Sequence, residues 1–459
     1  MTRRQRIEDL TTFAVAAHWQ RRLSALAAKH RVPGATLGIL RLRDGRDDEL
    51  VEAAYGVLNV DTGVETTTDS VFQIGSITKV WTTTLVMQLV DEGLLDLDAP
   101  VVEVLPEVAE QVTMRHLLTH TSGIDGDVFD DTGRGDDCVA KYVALLADVA
   151  RNHPLGATWS YCNSGFVIAG RVIEKLTGTT WDQAVRDRVI GPLGLTRAGT
   201  LPEEALLHRA AVGHTGEAEP VRATAWGLPR SGGPAGLVHA SAADVLAFAR
   251  LHLTGGLAPN GDRVLGAESV AAMASHQADL PDTAVLGESW GLGWSRFDWD
   301  GRRLIGHDGN TIGQSAFLRL LPEEGLAVTL LTNGGRTRDL YEDLYREIFA
   351  ELADVALPAP LTPPTPPVAV DLTPHLGTYE RAGERIEVLD GPVLRTTETG
   401  LIAELVPDPV REYELVPVTE NLFLAKETGA RRWAPVTFYT LPTGERYVHF
   451  GLRGTPRVP

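Results

Sequence analysis

The chain has 459 residues, 43% hydrophobic and 22% charged, with a formal net charge of −19. These values fit a folded protein of two or three packed units, and an acidic balance without any Lys/Arg run excludes a phosphate-backbone ligand, so no nucleic-acid partner is expected. No apolar stretch approaches the roughly 20 residues that cross a bilayer, which excludes a membrane partner, and two cysteines, Cys138 and Cys162, cannot form a disulfide framework.

Arg3, Arg4 and Arg6 ahead of the apolar residues 10–17 imitate a secretion leader. Glu8 and Asp9 interrupt the basic region, however, and residues 18–21 make a poor cleavage neighbourhood, so the segment reads as a surface helix and the chain as cytoplasmic. Strands are predicted at 35–41 and 50–55, split by a turn at 43–46. Ile77, Val80, Trp81, Leu85 and Leu89 then fall on one helical face, with Gly93 as a stop. Further helices are expected at 137–149, 165–176 and 242–253. Residues 314–321 and 326–332 flank a turn as a hairpin, and a helix at 339–352 follows. Early strands, a helical middle and late strands predict one sheet assembled from both ends and covered by helices. The proline-rich residues 355–370 read as a semi-rigid linker. Short alternating runs at 385–389, 413–418 and 446–451 predict a small antiparallel β unit, a barrel, over 371–459. The expected division is therefore 1–354, a linker at 355–370, and 371–459.

Ser76 stands three residues before Lys79 at a helix start, and residues at i and i+3 share a face. An amine beside a hydroxyl can accept its proton, and a helix N-terminus favours negative charge on a nearby oxygen. The plain alternative is a capping serine and a solvated lysine. Tyr161 and Asn163 open another predicted helix. The tyrosine could relay a proton and the asparagine hold an amide through donor and acceptor, or the pair could be a half-buried ring and a cap. His116 and His120 have the spacing of a metal pair but no third ligand nearby, so no metal is expected. Cys162 reads as a packing residue, and Trp226, Trp290 and Trp294 line either a cleft or the core.

Together with residues 116–124, the glycine turn at 233–244 and the Trp-Gly-Leu-Gly-Trp run at 290–294, these motifs resemble the serine β-lactamases and penicillin-recognising DD-peptidases. The likeness spans roughly residues 20–350 and is strongest to the class C branch with its esterases, D-aminopeptidases and peptide cyclases. It implies an α+β fold: a β-lactamase-like antiparallel sheet covered by helices, with a helical subdomain, followed by a small lipocalin-like β-barrel. It implies Ser76 as nucleophile, with Lys79 and Tyr161 sharing acid and base duty, and Asn163 binding substrate. The family's third motif, a Lys or His, any residue, then Gly, is matched at His214, His307, His375 and His449. Position before the late hairpin selects His307, with Gly309 permitting close approach and the backbone amides of Ser76 and Asn310 forming an oxyanion hole. His in place of the Lys usual in class C enzymes points away from antibiotic hydrolysis. The expected activity is acyl transfer from an ester, amide or thioester of a small peptide or D-amino-acid compound, to water or to an amine as in a transacylase or macrocyclase. A silent peptide-binding protein is the alternative. No cofactor is implied, the partner is a small-molecule or peptide substrate, and the oligomeric state is open.

Overall fold

Leu-, Ile- and Val-rich runs with no polar alternation suit strands covered on both faces. The computed structural model describes residues 12–43, 48–108, 111–128, 130–399 and 409–459. The leader-like stretch before residue 12 and most of the expected turn at 43–46 lie outside them. In chain order the main elements are α1 (Thr12–Lys29), β1 (Gly34–Arg41), β2 (Glu49–Asn59), α2 (Thr78–Asp91), α3 (Cys138–Leu145), α4 (Asn163–Thr177) and α5 (Ala242–Leu253). They are followed by β3 (Ser295–Trp299), β4 (Arg302–Thr311), β5 (Gln314–Leu321), β6 (Leu326–Thr332) and α6 (Thr337–Leu352). The last group is β7 (Gly377–Arg381), β8 (Glu384–Leu389), β9 (Val393–Glu398), β10 (Val410–Pro417), β11 (Leu422–Glu427), β12 (Ala434–Thr440), β13 (Arg446–Phe450) and β14 (Arg453–Pro456). By contact the chain divides into two units, neither contiguous in sequence. One takes 1–95, 173–275 and 291–358, the other 96–172, 276–290 and 359–459.

The first unit is built on an antiparallel sheet in the order β2-β1-β6-β5-β4-β3. Its two ends in sequence meet at its centre, where Ala35 pairs with Thr332 and Arg41 with Leu326. Both β1 and β6 are buried along their whole length. One face is covered by α1 through Val15, Trp19, Leu23, Leu26 and Ala27, and by α6 through Leu340, Tyr341, Leu344, Tyr345, Ile348 and Phe349. Both sets recur at helical spacing, so each helix hides one stripe and leaves its charges in water. Val355 and Leu357 belong to this same core. The proline-rich segment therefore begins packed, and its extended stretch starts later than composition suggests.

Helix α2 departs from the expected one-sided pattern. Nearly all of its side chains are buried. Its polar residues tolerate this because they find partners within the fold: Thr83 Oγ1 donates to the Lys79 carbonyl, Thr84 Oγ1 to the Val80 carbonyl and Thr82 Oγ1 to the Pro234 carbonyl.

In the second unit, β7 to β14 pair in sequence order, each antiparallel to the next. The ring closes where Tyr379 bridges Arg457 and the Val458 amide donates to the Thr378 carbonyl at 2.9 Å. Alternate residues, among them Tyr379, Ile386, Val388, Leu394, Leu415, Phe423, Val436, Phe438 and Val448, fill the interior. Among the described residues no helix is long and apolar enough to cross a membrane.

Candidate active site

Ser76 sits in a single 3-10 turn, Gly75–Ile77, that runs straight into α2, so Lys79 lies one turn along on the same face. Lys79 Nζ donates to Ser76 Oγ at 3.0 Å and to the Ala235 carbonyl at 2.7 Å. The lysine side chain is fully buried, which removes the solvated-lysine alternative. Residues 234–238 form the wall that receives it. The Val238 amide donates to Thr78 Oγ1, the Ile74 amide donates to the Val238 carbonyl, and Thr82 ties down Pro234 while accepting from the Trp181 indole.

Strand β4 passes directly against this turn. A Cβ on Gly309 would lie 1.9 Å from the Ile74 carbonyl oxygen and 2.9 Å from the Ser76 nitrogen, and one on Gly75 would lie 2.5 Å from the Asn310 nitrogen. Only glycine at both positions allows the two backbones to meet. The backbones at Ser76 and Asn310 are thereby brought to neighbouring positions at a helix start. The Asn310 side chain is held aside by Ser315 Oγ, which donates to its Oδ1 at 2.8 Å. His307 is buried on the same strand, with Nδ1 2.6 Å from the Asp308 carbonyl. Burial above all pushes it down to about 3, so the ring is neutral at ordinary pH. Ser76, Lys79, His307, Gly309 and Asn310 are thus assembled within the first unit.

Tyr161 and Asn163 are built in the second unit, on the segment entering α4. The Tyr161 amide donates to the Leu452 carbonyl at 3.0 Å, and the Gly454 amide donates to Ser160 Oγ at 3.1 Å, so the turn from β13 into β14 grips this segment. The Arg453 guanidinium lies 4.9 Å from the centroid of the Tyr161 ring and donates to Asp127 through Nη2 at 2.7 Å and Nε at 3.1 Å. Arg381, on β7, donates to the same carboxylate. Burial raises Asp127, but Arg453 and Arg381 overcome it and hold the carboxyl at about 2. Asn163 Nδ2 stands 3.5 Å from Asp127 Oδ1. Sequence reasoning missed Asp127, Arg381 and Arg453. Their separations of 254 and 326 residues leave no local signal.

The remaining candidates take structural places. His116 Nδ1 accepts from the Thr113 amide at a helix cap, while His120 Nδ1 accepts from the Cys162 amide at 2.9 Å, so the two rings serve different partners. His120, with a left-handed φ of 59°, is packed edge-on or tilted among Trp159, Tyr161, Phe166 and Trp290. Among the described residues no group of His, Cys, Asp and Glu converges as a metal site would require. His214 joins the Val60 amide to the Asn333 carbonyl, His375 stacks on Phe438, and His449 lies inside the second unit near Asp282. Burial pushes the Cys162 thiol up to about 12, and its sulfur bonds the Ile124 carbonyl and the Gly165 amide, so it is a packing residue. Trp290 and Trp294 are core residues, and Trp226 is half-buried.

The family model described as Beta-lactamase matches residues 19–352. Penicillin-binding protein 4 of Amycolatopsis lactamdurans is 50% identical over 378 residues, covering 80% of this chain and 98% of its own length. The crystal structure of SurE superposes with a TM-score of 0.80 at 29% identity, covering 98% of this chain and all of that one, and SurE has also been solved with D-Leu. A D-stereospecific amidohydrolase from Streptomyces sp. gives a TM-score of 0.58 at 28% identity, over 74% of this chain and 99% of its own. With a family match across most of its length and a half-identical penicillin-binding relative, this chain belongs to the beta-lactamase family of serine hydrolases.

Proposed function

We propose that this protein forms an acyl-enzyme on Ser76 with a D-configured amino-acid or small-peptide amide, ester or thioester, and passes the acyl group to water or an amine. The observation that carries the reading is the 3.0 Å contact between a fully buried lysine amine and the serine hydroxyl, beside the glycine-lined strand. Neutral Lys79 accepts the hydroxyl proton as Ser76 Oγ bonds to the carbonyl carbon. The negative charge moves onto the carbonyl oxygen, facing the Ser76 and Asn310 amides. Collapse of this intermediate breaks the bond to the leaving group, which takes its proton from Lys79 or Tyr161. Water or an amine then attacks the ester carbon, and Ser76 regains its proton. Asn163 is assigned to the substrate amide and neutral His307 to a hydrogen bond at the strand. The D-configuration rests on the likeness to the D-stereospecific amidohydrolase and to SurE, solved with D-Leu. A histidine at 307, where class C enzymes carry lysine, supports a peptide or amino-acid substrate over a β-lactam.

Intact mass spectrometry after exposure to a fluorophosphonate tests the nucleophile. One adduct is expected on the native chain and none on Ser76→Ala. A screen of D- and L-amino-acid amides should then show turnover of the D series. Labelling that survives Ser76→Ala, or turnover of the L series alone, refutes the assignment.

A further inference from the structure

The middle residue of the His307-Asp308-Gly309 run is free to vary in the family pattern, yet here it is the centre of a buried ion network. Successive side chains on a strand point to opposite faces, so Asp308 leaves the sheet on the side away from His307 and Gly309. There it meets two guanidinium groups from different elements. Arg319 Nη1 donates to Oδ1 at 2.6 Å from β5, and Arg338 Nη1 donates to Oδ2 at 2.6 Å from α6. Arg319 is fully buried, with its guanidinium 4.2 Å from the Phe297 centroid and 5.1 Å from that of Tyr341. It pairs across the ladder with Gly306, and a Cβ there would stand 2.8 Å from its Cδ, so the arginine lies flat across a glycine gap to reach Asp308.

Stability alone gives no reason for this arrangement. Burying the two charged side chains of Asp308 and Arg319 carries a large desolvation cost, and apolar residues of similar volume commonly hold a core as well or better. What the network supplies is position. Two guanidinium groups, one from β5 and one from α6, each bond one oxygen of the same carboxylate and fix β4 both along its ladder and against the helix behind it. The next two residues, Gly309 and Asn310, are those whose backbone abuts Ser76. Donors for a developing oxyanion lose much of their effect when displaced by a fraction of an ångström.

We infer that Asp308, clamped by Arg319 and Arg338, is a positioning residue that sets the Asn310 amide against Ser76 and so governs the acylation rate rather than substrate affinity. The inference rests on the Ser76 acyl-enzyme reading above. The test measures fluorophosphonate inactivation, in which Ser76 Oγ bonds to phosphorus and fluoride leaves, for the native chain, Ser76→Ala, Asp308→Asn, Arg338→Met and Arg338→Lys. Rates are referred to active sites titrated to completion, so misfolded molecules do not count. Asp308→Asn is expected to lower the limiting rate kinact about tenfold with the half-saturating concentration KI within about twofold. Arg338→Met, half-exposed and safe for folding, should lower kinact several-fold, about three, and Arg338→Lys should recover most of it. Native kinact in both Asp308→Asn and Arg338→Met, or a change confined to KI, overturns the positioning role while leaving the nucleophile intact. If Asp308→Asn does not fold, Arg338→Met against Arg338→Lys decides alone. A native chain that takes no adduct on Ser76 overturns the acyl-enzyme reading, and this inference with it.

Discussion

His307 carries no charge under ordinary conditions, because burial above all holds it at about 3. A ring of this kind contributes a hydrogen bond and not a titration between pH 5 and 8. Replacing it with a neutral amide, His307→Gln, should slow p-nitrophenyl ester hydrolysis by about ten- to a hundredfold while leaving both limbs of the kcat/KM pH profile where they are. Disappearance of a limb in that variant would mean that His307 is itself the titrating group. At this scale Ser76 and Lys79 were readable from sequence, since three residues of helix suffice to bring them together. Choosing His307 among four similar tripeptides needed the hairpin that follows it. Asp308 and Arg453 were not readable, because their partners are set by strand register and by chain crossings hundreds of residues long.

The elements themselves were largely legible. Hydrophobic periodicity gave α6, the hairpin of β5 and β6, and the alternating strands of the barrel, since one-sided burial writes itself into spacing. It misdescribed α2, whose threonines are buried through backbone hydrogen bonds that no hydrophobic pattern records. For α6, whose apolar stripe covers the sheet, Leu344→Ala should cost about 2–5 kcal/mol by leaving a cavity beside Tyr341 and Ile348. Urea unfolding followed by tryptophan fluorescence measures this, and a loss below about 0.5 kcal/mol would show that the site is loosely packed. The barrel has a second task besides its own core, since β14 and the turn before it hold the segment of Tyr161 and Asn163. Sequence spacing places the barrel after the linker but carries no trace of that grip.

At the scale of the whole molecule, the histidines that burial holds neutral include His239, near 4, and His252, His307 and His449, near 3. Their unfolded forms protonate near 6.5, so below that pH the unfolded chain binds more protons than the folded one. The stabilisation is therefore complete above about pH 6.5 and lost as pH falls toward 4 for His239 and toward 3 for the other three, at roughly 1.4 kcal/mol per pH unit for each ring. Asp127 acts later in the descent, keeping its contribution until pH drops below about 4 and losing it toward 2. Urea midpoints should thus fall clearly between pH 7.5 and 5.5, before carboxylates titrate, and equal midpoints at the two values would contradict the burial of these rings.

The clasp between Leu452 and Tyr161 also sets an order of events during synthesis. With translation at about 5–20 residues per second, the strand that grips Tyr161 leaves the ribosome on the order of 15–60 s after the tyrosine does. Until then the proposed proton-relay segment has no Arg453 beside it and no carbonyl to fix its backbone. A nascent chain that still lacks this turn is therefore expected to perform the proposed acyl transfer poorly, however soon its serine and lysine are in place.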